Sequence, residues 1–133
     1  MRNLVNMSEG SYLALHGLAL IVQRSPERIS VKTMAKELNA SEAHLAKIFQ
    51  KLSKAGIVGS VRGPAGGFAL NGSAEQVTFL EIYEILEGRV ELGGCPFGKI
   101  SCAFKSCIFS NRLNTISQEI YNFFKSMKLI DFK

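Results

Sequence analysis

No uninterrupted apolar run in this chain of 133 residues approaches the ~20 residues that a membrane span needs. The opening Met1-Arg2-Asn3 leads into a patterned segment with polar residues at Ser8, Glu9 and Ser11, whereas a secretory signal needs an unbroken apolar stretch and a cleavage site. Cysteine is limited to three residues, an odd number that argues against a disulfide framework and for a reducing compartment. Internal repeats and low-complexity tracts are absent. So are paired carboxylates, a nucleophile–base arrangement and a cofactor fingerprint, which removes the usual grounds for reading an enzyme. Together these absences predict a soluble, cytoplasmic, non-enzymatic protein without a membrane partner. The length fits one domain, or one small domain with an extension.

The three cysteines present are concentrated. Cys95, Cys102 and Cys107 follow Gly93-Gly94 and sit among Pro96 and Gly98, where no regular element can form. A free cysteine is usually a buried small hydrophobe. Three on one glycine-rich loop point instead to thiolates gathered for a metal, a cluster or redox chemistry. The Cys-x6-Cys-x4-Cys spacing lacks the Cys-x2–4-Cys knuckle with which structural zinc sites generally begin. Thiols without metal are the bland alternative.

Charge is unevenly placed. Residues 1–63 hold nine Lys/Arg and four Glu, so nine minus four gives +5, while the remaining seventy hold seven of each sign. A basic half beside a neutral half is the pattern of a polyanion-binding module joined to something else, although a solvated face without a partner has the same composition.

The coarse structure reads as mostly helical. An apolar first helix follows Ser8 and ends near Ser25-Pro26. Ser30 caps a short helix over Val31–Leu38, with Met34, Ala35 and Leu38 inward. After the turn at Asn39-Ala40, Ser41 caps a helix running to Ala55, with Gly56 as its stop. Two β-type runs follow, Ile57–Val61 and Phe68–Leu70. Thr78 with Glu81 fits a capping box opening a helix to about Glu87. A last long helix is predicted over Phe109–Met127.

Two helices joined by a three- or four-residue turn form a helix-turn-helix. On the second, Leu45, Ile48, Phe49 and Leu52 recur at helical spacing and face inward, while His44, Lys47, Lys51 and Lys54 recur on the opposite side. Ser41 and His44 would meet a DNA groove first, and the lysines would contact phosphates. An ordinary amphipathic surface helix is the competing reading. The ribbon that follows reads as a wing, with Arg62, Gly63, Pro64, Gly66 and Gly67 at its tip. Arg62 is placed to reach a minor groove. A nucleotide-phosphate loop is a poor alternative, because GxxxxGK[ST] is absent.

The run from Ser60 to Leu70, preceded by Leu52-Ser53-Lys54-Ala55-Gly56-Ile57-Val58, resembles the wing and recognition-helix end of the bacterial winged-helix regulators that include IscR, NsrR and CymR. The likeness extends from a tyrosine-containing first helix through three cysteines to the long last helix. It implies a mainly α fold with a small two-stranded β wing. Residues 1–76 would be a winged helix-turn-helix DNA-binding domain and 77–108 a connecting helix and cluster loop. Residues 109–133 would be a dimerisation helix and tail. It implies a homodimeric transcriptional regulator, a repressor in most relatives, on a palindromic double-stranded DNA operator. Phe109, Leu113, Ile116, Ile120, Phe123 and Met127 form an apolar seam that suits a partner helix or the helix's own domain, and Phe124 widens that face.

In the cluster-binding members of that family, three loop cysteines ligate an iron–sulfur cluster, and Cys95, Cys102 and Cys107 match them in order. The fourth ligand departs from the pattern. Relatives with a 2Fe–2S cluster use a histidine where this chain has Ser110, and those with a 4Fe–4S cluster take an aspartate from the first helix of the partner subunit, at the position where this chain has Tyr12. Ser8, Glu9, Tyr12 and Glu91 are candidates by location, and His16 is a further weak candidate. His16 is expected as a core or interface residue satisfied by a local hydrogen bond. The resemblance thus implies DNA binding gated by a cluster of either type, sensing nitric oxide, redox state or cluster status. A metal-free thiol- or metabolite-responsive regulator of the same fold is the first alternative. A small iron–sulfur electron-transfer or cluster-assembly protein is the second.

Overall fold

A computed structural model describes residues 3–133, so Met1 and Arg2, including the Arg2 charge counted above, lie outside the described residues. Helix α1 (Glu9–Arg24) forms the centre of the fold. Its Leu13, Ala14, Leu18, Ile21 and Val22 recur at three- and four-residue steps and are all buried. Ser8 caps it, the side-chain oxygen accepting from the Ser11 amide at 3.1 Å. Helix α2 (Val31–Leu38) starts at the Ser30 cap and stops where Asn39 turns left-handed, at φ 51°. Helix α3 (Glu42–Lys54) starts at the Ser41 cap. Gly56, at φ 80°, terminates it. These helix limits agree with the sequence expectation to within a residue or so, because caps and stops are local signals.

Strands β1 (Val58–Val61) and β2 (Gly67–Leu70) pair antiparallel, with Val58 opposite Leu70 and Val61 opposite Gly67. A short 3-10 turn, Gly72–Gln76, leads to α4 (Phe79–Glu87). The expected capping box is present: Thr78 Oγ1 accepts from the Glu81 amide at 3.2 Å, and Glu81 Oε2 accepts from the Thr78 amide at 2.7 Å.

Helix α5 spans Arg112–Ser126 and begins three residues later than the apolar spacing predicts. Ser110 and Asn111 both adopt left-handed backbone, at φ 51° and 58°, which a right-handed helix cannot contain. After α5 the chain returns to the core. The Phe79 amide donates to the Met127 carbonyl at 2.9 Å, and the Leu129 amide donates to the Val77 carbonyl at 3.0 Å. Leu129, on a 3-10 turn over Leu129–Phe132, is fully buried against the same cluster as α1.

The packing is tight where α1 crosses α3. A Cβ on Gly17 would lie 2.7 Å from Cζ of Phe49, a ring with no solvent exposure. On the other side, α5 lays Phe124 edge-on to Phe79 and Tyr83, at centroid distances of 6.2 and 6.0 Å. Ile116, Ile120 and Phe123 of the predicted seam remain exposed, at 43%, 36% and 55%. Among the described residues, no helix is long and apolar enough to cross a membrane.

Candidate nucleic-acid interface and cysteine loop

Leu45, Ile48, Phe49 and Leu52 bury one side of α3, which leaves Lys47, Lys51 and Lys54 exposed along the other. Ser41 is exposed, but its oxygen is engaged, accepting from the His44 amide at 3.3 Å. His44 is half-buried in the first turn. Among the described residues one ion pair forms, Arg24 with Glu37, while Lys32, Lys36, Lys47, Lys51, Lys54 and Arg62 have no acid within 4.0 Å. Their charge is therefore available to an external anion.

The wing is fixed to the helices by backbone and by ring packing. The Ile29 amide donates to the Phe68 carbonyl at 3.1 Å, and the Phe68 amide donates to the Ile29 carbonyl at 2.7 Å. This pairing makes the segment entering α2 a third partner of the ribbon. On the other face, the Phe68 ring meets Phe49 of α3 at 5.2 Å between centroids. Arg62, Gly63 and Pro64 are exposed at the tip, where the Gly66 amide closes the turn on the Gly63 carbonyl at 2.9 Å.

The tip glycines divide into two kinds. A Cβ on Gly63 would meet nothing within 4 Å, so that position is open to an external surface. A Cβ on Gly66 would come within 2.2 Å of the Val61 carbonyl oxygen, and one on Gly67 within 2.5 Å of the Ile29 carbonyl carbon. Gly66 and Gly67 are therefore required by the chain's own backbone, a reason the sequence reading did not include.

The cysteine loop leaves α4 at Gly88 and returns to α5. Cys95 and Cys102 are exposed and Cys107 is half-buried, all as free thiols. All three line one cavity of 290 Å³, with Phe97, Phe104 and Phe109 among its walls. The Lys99 amide, and after it the Phe97 amide, holds the Cys95 thiol below its ordinary range. Asn114 of α5 donates from Nδ2 to the Gly94 carbonyl at 2.9 Å, and Phe97 packs on Phe109 at 5.9 Å, so the loop is anchored beside its first cysteine. Among the described residues, no three His, Cys, Asp or Glu side chains converge into a ready-made metal group. The thiols share a cavity without being gathered at one point in it.

A basic helix-turn-helix, a tethered wing and a following cysteine loop are the parts on which family membership turns. The family model described as an iron-dependent transcriptional regulator, Rrf2, matches residues 7–133. The chain belongs to the Rrf2 family. Among its relatives, the HTH-type transcriptional regulator IscR of Cereibacter sphaeroides is 31% identical over 129 residues, covering 93% of this chain and 83% of that protein. The structure of CymR, the global cysteine regulator of B. subtilis, superposes with a TM-score of 0.73 at 21% identity, over 98% of this chain and 99% of that one. IscR of T. potens gives 0.72 at 23% identity, over 96% and 85%. These two structures establish the fold, a winged helix of mainly α structure. The chain is thus an Rrf2-family transcriptional regulator.

Within a single copy of this Rrf2 chain, the positions considered for a fourth ligand stand apart from the cysteine cavity. Ser8 caps α1, Glu9 lies exposed in its first turn, and neither they nor Tyr12, His16 or Glu91 line the cavity. His16 lies outside the core of the single chain, and the local hydrogen bond expected of it is present. It is exposed, stacks on Tyr12 at 4.0 Å and shares a 2.8 Å hydrogen bond between Nδ1 and the Tyr12 carbonyl. Its i−4 carbonyl and ring neighbour satisfy it locally, so burial is unnecessary. Two contacts around the loop were not legible in the sequence: Asn114 to Gly94, and a carboxylate, Glu87, that meets Ser8 and Ser11. A serine on the otherwise apolar face of α1, Ser11, was the available signal.

Proposed function

We propose that this regulator binds a palindromic operator as a homodimer and that an iron–sulfur cluster on Cys95, Cys102 and Cys107 gates that binding. One observation carries the cluster reading: all three cysteines of the chain open into a single cavity walled by aromatic rings. The donor set suits a cluster, since soft thiolates are its usual ligands and a loop can draw them together. When bound, the cluster supplies a centre whose oxidation, nitrosylation or loss changes the loop. The chain's own residues do the rest. Backbone amides favour the Cys95 thiolate, Phe97, Phe104 and Phe109 wall the cavity, and Asn114 ties the loop to α5.

On the DNA side, Ser41 and His44 present polar groups at the start of α3, and Lys47 and Lys51 meet phosphates. Arg62 reaches from the wing with Gly63 and Pro64 against the backbone, while Gly66 and Gly67 hold the tip in shape. Ile116, Ile120 and Phe123 form the α5 surface for the second copy, which places two recognition helices on two half-sites.

Cys102→Ala tests the cluster directly. After anaerobic treatment with iron and sulfide, the wild-type chain is expected to gain visible absorbance with matching iron and sulfide content. The variant is expected to lose most of it while keeping its helical circular dichroism. Full absorbance in the variant contradicts the ligand assignment.

A further inference from the structure

Glu87 is the last residue of α4, and Gly88, at φ 91°, opens the cysteine loop immediately after it. Its carboxylate Oε1 accepts from the hydroxyls of both Ser8 and Ser11, the latter at 2.8 Å. Ser8 is the cap of α1, and Ser11 is completely buried. A buried hydroxyl needs a partner, and Glu87 is the one it has beyond Ser8. The stem of the loop is therefore pinned to the first turn of α1.

That turn also touches the DNA-reading helix. A Cβ on Gly10 would lie 3.2 Å from Cδ1 of Ile48, so the first turn of α1 rests on α3 with little space to spare. Lys51 stands one turn further along α3. The Ser8 and Ser11 hydrogen bonds, and after them the Lys51 charge, hold the Glu87 carboxyl below the ordinary carboxylate range. One carboxylate thus joins the loop stem, the α1 cap and the electrostatics of a proposed phosphate-binding lysine.

Resting on the gated-binding reading, we infer that Glu87 is the positioning residue through which the cysteine loop acts on the recognition helix. A change in the loop pulls at Gly88. Glu87 conveys it to the first turn of α1, and that turn shifts Ile48 and Lys51. The link is mechanical and hydrogen-bonded, so a glutamine, whose amide oxygen can accept the same two hydroxyls, preserves it.

The test compares operator affinity of the anaerobically iron- and sulfide-loaded chain with that of the chelator-stripped chain, in wild type, Glu87→Ala, Glu87→Gln and Ser11→Ala. Glu87→Ala is expected to bring the loaded-to-stripped affinity ratio closer to one by roughly 2- to 30-fold, with visible absorbance of the loaded form retained. Ser11→Ala moves the ratio in the same direction, and Glu87→Gln keeps it near wild type. If Glu87→Ala does not fold, the Ser11→Ala and Glu87→Gln pair decides the matter by the same contrast. A wild-type ratio that alanine at 87 or 11 leaves intact overturns the inference while the gating reading stands. A glutamine variant that falls as far as alanine overturns the hydrogen-bonded link. A wild-type ratio of one overturns the gating reading and this inference with it.

Discussion

Raising monovalent salt from about 50 to about 200 mM is expected to weaken operator binding by roughly 10³- to 10⁵-fold, the range for about six to ten phosphate contacts. Lys47, Lys51, Lys54 and Arg62 give four cations per protomer with no acid within 4.0 Å, and twice four is eight in a pair. None is held in an ion pair within 4.0 Å, and Lys51 alone feels a nearby carboxylate, Glu87, so little of their charge is neutralised internally before DNA binds. Removing one cation from each protomer, by Arg62→Ala, should lower the slope of log affinity against log salt by about two. Fluorescence anisotropy of a labelled operator over a salt series measures both quantities. An unchanged slope together with unchanged discrimination against scrambled duplex in Arg62→Ala removes the wing tip from the interface. Loss of discrimination against scrambled duplex, with the slope intact, would instead give Arg62 a base-reading role.

Gly67→Ala is expected to cost roughly 2–4 kcal/mol of stability, combining backbone strain with overpacking. The added Cβ would meet Ile29 C and O at 2.5 and 2.6 Å and Ser30 N at 2.8 Å, all backbone atoms of a paired segment. At φ +139° the residue also occupies a region that L side chains rarely adopt. Relief requires β2 to separate from Ile29, which breaks two hydrogen bonds and lifts Phe68 from Phe49. Gly63→Ala is the contrast: the space is open, and only the positive φ of +110° opposes it. Urea denaturation of both variants should place Gly67→Ala well below Gly63→Ala. Equal stabilities would mean that the wing is not held by the Ile29–Phe68 pairing.

Local chemistry explains which parts of the fold were legible in the sequence. Ser8, Ser30 and Ser41 cap helices, and Thr78 with Glu81 closes a capping box, because each acts within three residues. The buried positions on α3 follow from their spacing alone. The start of α5 was not legible. Phe109 continues the apolar period, and nothing in Ser110 announces a left-handed residue. The return of Leu129 to the core escaped for a related reason, since a one-turn 3-10 segment carries no period. The Ile29–Phe68 pairing and the Glu87 contacts join positions far apart in sequence, and only the fold brings them together. In the cysteine loop the residue types were informative and their arrangement was not. Three thiols could be named, but their shared aromatic cavity depends on Phe97 reaching Phe109 and on Asn114 holding Gly94.

In the proposed mechanism the state of the cysteine loop sets operator affinity. This coupling is tested most directly by titrating one labelled operator, at fixed salt, with the iron- and sulfide-loaded chain and with the same preparation after chelation. The two affinities are expected to differ by roughly 5- to 150-fold, the size of coupling typical between two sites. Cys102→Ala is expected to collapse both treatments onto one curve, as the proposed mechanism requires. Superimposable curves for the two forms of the wild-type chain would contradict it.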